Sequence, residues 1–512
     1  MSTRERITPV DTAWLRMDRP NNLMMIVGVM IFDGKPDIPR FKRTVDARLM
    51  KYRRFHQKVT SDATGSWWED DPDYDIDHHL SRTKLPGAAG KRELEELVAR
   101  LVSSPLDPER PLWQFQVIEN YRGGAPGGSA MVVRIHHAIA DGIALIGVMQ
   151  SLTDEVQGAP LGEQPLPPQV PVDDGEENPW RMFLEPMTSA MAASLRVSGS
   201  VLGKSVKVLN DPGQAWEYVK AGTSIVAEIA RLALMPRDAA TRFKGVPGVT
   251  KRVAWSEPIP LPEIKTVGKM LHCSVNDVLL SAVAGALRAY LAEKGEEIDE
   301  GGEVGIRALV PVNLRGPGDD QELGNYFGMV TLELAVGSDN PLSRLYETRQ
   351  RMIELKQSYQ AVAALTILAV VGLLPKFLQE QILNLLATKA TAVMTNVPGP
   401  QQTRYIAGSR TVQQMVWVPQ SGNIGMGVSI LSYDGKVQFG LVTDSGLVPD
   451  PQRIIDRFAP EFEKILYILL LEPDSANLTP KEVEARLAPK PKRGATAARS
   501  QRDARRGGGQ AS

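Results

Sequence analysis

A chain of 512 residues is longer than one ordinary domain, and 43% hydrophobic with 23% charged residues describes a globular polymer able to bury substantial cores. The formal net charge of −1 excludes the basic excess of a dedicated nucleic-acid binder. A single cysteine, Cys273, excludes an internal disulfide or a cysteine-rich zinc site and points to a reducing, cytosolic setting. The charge is uneven, because residues 489–512 carry seven Lys/Arg against one Asp, +6, which leaves −7 on the remainder. The first 14 residues lack the apolar stretch of a secretory signal. The best apolar runs, ten residues at 23–32 and fourteen at 361–374, fall short of the roughly 20 that cross a bilayer, so the chain reads as soluble or peripheral.

Residues 23–32 end at the turn pair Asp33-Gly34 and read as a buried strand. Residues 92–104 place Leu94, Leu97, Val98 and Leu101 on one helical stripe. Strands are predicted at 117–120 and 130–136, separated by a glycine-rich turn, followed by a helix over 142–156. Six prolines between Pro160 and Pro179, with Asp173, Asp174, Glu176 and Glu177, mark a linker. Residues 182–209 and 215–235 read as helices rich in Met, Ala and Ser. Strand and helix signals then alternate from 251 to about 471, with a hairpin at 428–433 and 437–442 turned by Asp434-Gly435. The expected units are 1–155, a linker and helical insert at 156–245, a second α/β unit at 246–475, and a disordered basic tail at 488–512.

Histidine is scarce, with six residues, so acid–base work near neutral pH falls on a short list: His56, His78, His79, His136, His137 and His272. Strand alternation from Ala130 sends Met131, Val133, Ile135 and His137 to one face and Val132, Arg134 and His136 to the other. Two imidazoles on opposite faces make a poor chelate and suit one working and one packed histidine. Asp141 stands where a helix begins and serves there as an N-cap on an ordinary reading. Ser274 and Asp277 form a capping box ahead of a helix at 278–291, which leaves Asn276 free to face a substrate. Pro111-Leu112-Trp113 reads as a strand entry with an aromatic anchor, and His78-His79 as ordinary structure. The glycines at 422–427 have the wrong spacing for a dinucleotide fingerprint.

HHAIADG at 136–142 resembles the HHxxxDG signature of the bacterial wax ester synthase/acyl-CoA:diacylglycerol acyltransferases, within the superfamily of chloramphenicol acetyltransferase and peptide-synthetase condensation domains. The segments around Pro111-Leu112-Trp113 and Asn276-Asp277, together with PVNLR at 311–315, LGNYFG at 323–328 and TNVPGP at 395–400, carry the resemblance in order from about residue 7 to 471. It implies an α/β fold of two chloramphenicol-acetyltransferase-like halves with mixed sheets, joined by the long linker, with the active site in a channel between them. By matching position, His137 is the expected general base and His136 its support. Asp141 is expected to hold the loop through an arginine, with Arg315 as a possible partner, and Gly142 to permit a close backbone approach. Asn276 is expected to position the acyl group or its oxyanion, and Asp277 to be structural.

The resemblance further implies a long-chain acyl-CoA donor, a diacylglycerol or fatty-alcohol acceptor, and no permanently bound cofactor or metal. Amphiphilic acceptors suit a cytoplasmic protein lying peripherally on the inner membrane face or on lipid inclusions. Met182, Met187, Met191 and the run 361–374 are candidates for that contact, or else core. The basic tail either leans on anionic lipid or merely solvates the chain. The rival readings are a superfamily enzyme acting on carrier-bound or polyketide-type substrates, and a non-catalytic acyl-lipid-binding protein.

Overall fold

The computed structural model describes residues 4–161, 227, 230–296, 298, 305–314 and 323–471, with 64, 125 and 126 left out. Most of the expected helical insert, the basic tail, Arg315 and Met182, Met187 and Met191 lie outside the described residues.

The architecture is mixed α/β and rests on two large mixed sheets. The first runs in the order Tyr405–Ile406, Ser409–Trp417, Met25–Phe32, Ser129–His136, Trp113–Ile118, Leu80–Thr83, with only the last pair parallel. The second runs Phe327–Leu334, Ile306–Asn313, Ala392–Pro398, Met426–Tyr433, Lys436–Asp444, Lys251–Trp255, and Ile259–Pro260 pairs with its fifth strand. Its two central pairings are parallel, and the others are antiparallel. A small antiparallel sheet joins Glu5–Arg6, Gly65–Asp70 and Gln57–Asp62.

The sheets do not divide where the linker does. Strand Ser409–Trp417, inside the expected second unit, completes the first sheet by pairing onto Met25–Phe32, and Tyr405–Ile406 pairs onto its outer side. An unpaired edge at Met25–Phe32, eight apolar-rich residues, would otherwise offer its backbone groups to another chain.

The strand Ser129–His136 is buried at all eight positions because both faces of its sheet are covered. The predicted alternation is kept: Met131, Val133 and Ile135 enter one core, and Ala130 and Val132 enter the other. Arg134 tolerates burial by donating to the carbonyls of Leu101 (3.2 Å) and Ser104 (2.8 Å) and to Gln114 Oε1. The helix predicted at 142–156 is shorter, Gly142–Ser151, and that at 278–291 is longer, Val275–Glu293. The hairpin turns at Asp434 and Gly435, both with positive φ (49° and 70°), as a type I′ turn requires.

Val275–Glu293 is the only single helix among the described residues long and apolar enough to cross a membrane, but most of it is buried as a core helix of the second unit. The helices Pro341–Lys356 and Gln360–Leu373 reach that length only together, and they meet at a 58° bend. Gln360–Leu373 matters for the site. It packs on the N-terminal helix Pro9–Met17 and on the strand Phe327–Leu334 at two glycines, where a Cβ at Gly372 would run into the Pro9 carbonyl oxygen and one at Gly328 into that of Ala361.

Candidate active site

The histidine strand ends at His136, whose N–H donates to the Leu112 carbonyl (2.9 Å). The chain then turns, and the His137 N–H donates to the Met24 carbonyl (2.7 Å). Ala138, Ile139 and Ala140 are fully buried, so the loop between strand and helix is held by apolar packing on all sides.

His137 is 5% exposed. Its ring stacks on Trp14 (centroids 4.2 Å apart, planes 14° apart), with Phe327 tilted against it at 5.4 Å. Nδ1 lies 2.8 Å from Asn325 Oδ1. Asn325 also donates from Nδ2 to the His137 carbonyl (2.9 Å) and to Asp11 Oδ1 (2.7 Å). Because both acceptors choose the amide nitrogen, Oδ1 must face the ring, and Nδ1–H is then the donor. The ring's proton acceptor is Nε2. Burial holds the imidazole below its ordinary value, opposed by the Asp141 carboxylate, the residue's own carbonyl and Asn325, so it is neutral at pH 7.

His136, the last residue of the strand, is buried as well, 4% exposed. Its Nδ1 accepts from the Ala138 N–H (3.1 Å), and its Nε2 lies 4.0 Å from Asp18 Oδ2. Burial and the neighbouring His137 push it down to about 3, so it stays neutral and packed.

Asp141 caps the helix Gly142–Ser151 by accepting from the Ala144 N–H (3.0 Å) and reaches across to the Tyr326 N–H with its other oxygen (3.0 Å). Its own N–H donates to the Gly324 carbonyl (3.2 Å). The carboxylate thus ties the histidine loop to the segment that carries Asn325. The expected partner Arg315 lies outside the described residues. At Gly142 a Cβ would meet nothing within 4 Å, so protein packing does not demand glycine there and the space beside it is open.

Ser274 and Asp277 make the capping box of Val275–Glu293 (2.8 and 3.2 Å). Asn276 Oδ1 accepts from Asn396 Nδ2, which pairs the Asn-Asp segment with TNVPGP and leaves Asn276 Nδ2 as a donor. No hydrogen bond among the described residues joins Asn276 to His137. Leu112 and Trp113 are structural: Trp113 donates to the Phe55 carbonyl (2.7 Å) and stacks on His79 (4.3 Å), whose Nδ1 meets the Trp113 carbonyl. Burial pushes the Cys273 thiol up to about 12, away from the thiolate form that attack requires. No cluster of metal-binding side chains occurs among the described residues.

Sequence reasoning misses Trp14, Asp11 and Asn325. In LGNYFG, Asn325 reads only as part of a turn. Its signal is a polar amide with no turn requirement of its own between Gly324 and an aromatic pair.

Two family models match the chain: the wax ester synthase/diacylglycerol acyltransferase catalytic domain over residues 7–279, and the WS/DGAT C-terminal domain over residues 323–466. A protein of Mycobacterium tuberculosis (strain H37Rv) named as a diacylglycerol O-acyltransferase is 28% identical over 456 residues, covering 87% of this chain and 92% of its own length. A second from the same strain is 26% identical over 474 residues, covering 90% and 92%. Among solved structures, the wax ester synthase/diacylglycerol acyltransferase of Marinobacter aquaeolei VT8 superposes with a TM-score of 0.62 at 20% identity, covering 92% of this chain and all of that one. The starter condensation domain of rhizomide synthetase, in complex with C8-CoA and Leu-SNAC, gives a TM-score of 0.53 at 12% identity, covering 90% and 95%.

Proposed function

Since the chain belongs to the wax ester synthase/diacylglycerol acyltransferase family, we propose that it transfers a long-chain acyl group from acyl-CoA to the hydroxyl of diacylglycerol or a fatty alcohol, with His137 as general base. The observation that carries the assignment is the polarity of the ring: Nδ1 is committed to Asn325, and Nε2 is left as the acceptor. An alcohol is a poor nucleophile at neutral pH. In this reading its proton passes to Nε2 as its oxygen bonds to the thioester carbonyl carbon. The tetrahedral intermediate then collapses, the C–S bond breaks, and the departing thiolate takes the proton from Nε2. Trp14, stacked on the ring, favours the imidazolium at that moment through its π face. Asn276 Nδ2 is assigned to the developing oxyanion or the acyl carbonyl, on the strength of its free donor at a helix N-terminus. The names of the mycobacterial relatives favour diacylglycerol as acceptor.

The site for lipid entry is proposed on the helices Gln360–Leu373 and Lys376–Ala387. They expose Val370, Leu373 (73%), Phe377 (61%) and Leu385 to solvent, and Gln360–Leu373 packs directly on the helix that carries Trp14. A surface like this suits peripheral contact with a membrane or lipid inclusion at the cytoplasmic face.

The deciding experiment is release of free CoA from palmitoyl-CoA by purified protein, with dioleoylglycerol or hexadecanol, beside a His137→Ala variant. Acceptor-dependent release that falls by roughly 10²–10⁴-fold in the variant supports the assignment. Release that survives the substitution removes His137 as base. No release with either acceptor favours a carrier-dependent or non-catalytic role.

A further inference from the structure

Asp11 is buried, 3% exposed, in the first turn of the helix Pro9–Met17, and the acyl-transfer scheme above does not use it. Its Oδ2 accepts from Thr8 Oγ1 (2.8 Å), and its Oδ1 accepts from Asn325 Nδ2 (2.7 Å). Thr8 already caps the helix by accepting the Asp11 N–H, so capping does not require a carboxylate at position 11. Burying one far from a bonded cation is unfavourable.

We propose that Asp11 is a positioning residue that selects the tautomer of His137 through Asn325. An asparagine amide can present either its oxygen or its nitrogen to a neighbour, and the choice decides which imidazole nitrogen carries the proton. An ionised carboxylate only accepts. It therefore draws Nδ2 of Asn325 to itself and turns Oδ1 to His137 Nδ1, leaving the lone pair on Nε2, where an alcohol can be deprotonated. The His137 carbonyl pulls the amide the same way (2.9 Å), so the relay has two anchors, and Asp11 is the one that a side-chain substitution can reverse. Asparagine at position 11 can donate as well as accept. The two amides can then turn together and offer Asn325 Nδ2 to the ring, which puts the proton on Nε2 and disables the base. The inference rests on His137 being the base.

The test is Asp11→Asn at pH 8, where Asp11 (pushed up to about 6 by burial, against Asn325, Thr8 and Arg54 and with Asp141 nearby) is ionised in the parent protein. The expected result is a fall in kcat of about 10–100-fold, less than the loss of the base itself because the carbonyl anchor remains. KM stays unchanged and the Tm is equal or higher. Histidine-selective 15N NMR should show His137 shifting from the Nδ1–H to a mixed or Nε2–H form. Unchanged kcat with an unchanged tautomer overturns the proposal. So does a kcat loss that tracks a fall in Tm, which marks a merely structural carboxylate. Asp11→Ser, which removes the carboxylate without supplying an amide, should lose less kcat than Asp11→Asn; a greater loss would also overturn it. The failure of the base assignment is separable, because then His137→Ala stays active whatever Asp11→Asn does.

Discussion

At the scale of single residues, the site combines a neutral imidazole with groups that stability alone would not select. His136 and His137 are both held below the ordinary imidazole value, by burial first. Two consequences follow for pH. With His137 as the proposed base, kcat/KM should rise with pH with its midpoint below the ordinary imidazole value of about 6.5; a pH–rate profile on soluble short-chain substrates reads this directly. For stability, the unfolded chain binds protons that the folded one refuses between about pH 6.5 and the folded value of about 3 for His136, so stability is lost as pH falls through that window. Asp11 acts in the opposite sense. Its raised value means that folding is favoured while it is protonated, and about 3 kcal/mol is lost as pH climbs from about 4 to above 6. Urea denaturation at pH 5 and pH 8 should show Asp11→Asn gaining stability relative to the parent only at the higher pH. Asn325→Ala removes the side-chain partner of His137 Nδ1, of the His137 carbonyl and of Asp11 Oδ1. It should cost about 1–3 kcal/mol of stability per group left unsatisfied, together with most of the activity.

At the scale of elements, three glycines with one substitution give opposite expectations. Gly328→Ala and Gly372→Ala drive a Cβ into backbone oxygens of a neighbouring element, where no side chain can rotate away. Each should destabilise by about 3 kcal/mol or more and displace the helix Gln360–Leu373 from the parts that flank His137. Gly142→Ala meets open space at the start of its helix, so the Tm should hold or rise slightly. A selective rise in KM there would locate substrate beside the loop. The apolar pair Gln360–Leu373 and Lys376–Ala387 gives a further expectation. A Leu373→Ser, Phe377→Ser, Leu385→Ser triple variant removes exposed side chains and should leave the Tm unchanged. Its partition onto anionic phospholipid vesicles should fall at least ~10-fold, since burying each such side chain in lipid is worth about 1.5–3 kcal/mol. Vesicle sedimentation is the readout, and equal partition would move the contact elsewhere.

At the scale of the whole molecule, the two large sheets depend on one another. The first sheet takes a strand, Ser409–Trp417, from residues far along the chain, and His137, just past the end of a strand of that sheet, takes its Nδ1 partner from residue 325, beside the edge of the second. A fragment of residues 1–161 should therefore be insoluble when expressed alone, with Met25–Phe32 left as an open apolar edge, and co-expression with residues 227–471 should rescue solubility before activity. A soluble, cooperative fragment would show that the crossing strand is dispensable.

What the sequence determined by itself was whatever depends on neighbours along the chain. The alternation of 130–135 was legible from the strand period, and the local pattern at 274–277 gave the capping box. Asp-Gly at 434–435 gave the hairpin, and HHAIADG with its companion segments gave the family and the α/β architecture. Asp141 was legible as a cap because capping acts within one helical turn. The rest was decided by contacts between residues far apart in sequence. Nothing near Ile7 or Leu323 indicates that Asp11 and Asn325, 314 positions apart, meet behind His137, or that Trp14 lies flat on its ring. The tautomer of His137 is such a property. It is set by which atom of one amide faces which acceptor, and only the packing of the first helix, the histidine loop and the strand at 327 brings those atoms within hydrogen-bond range.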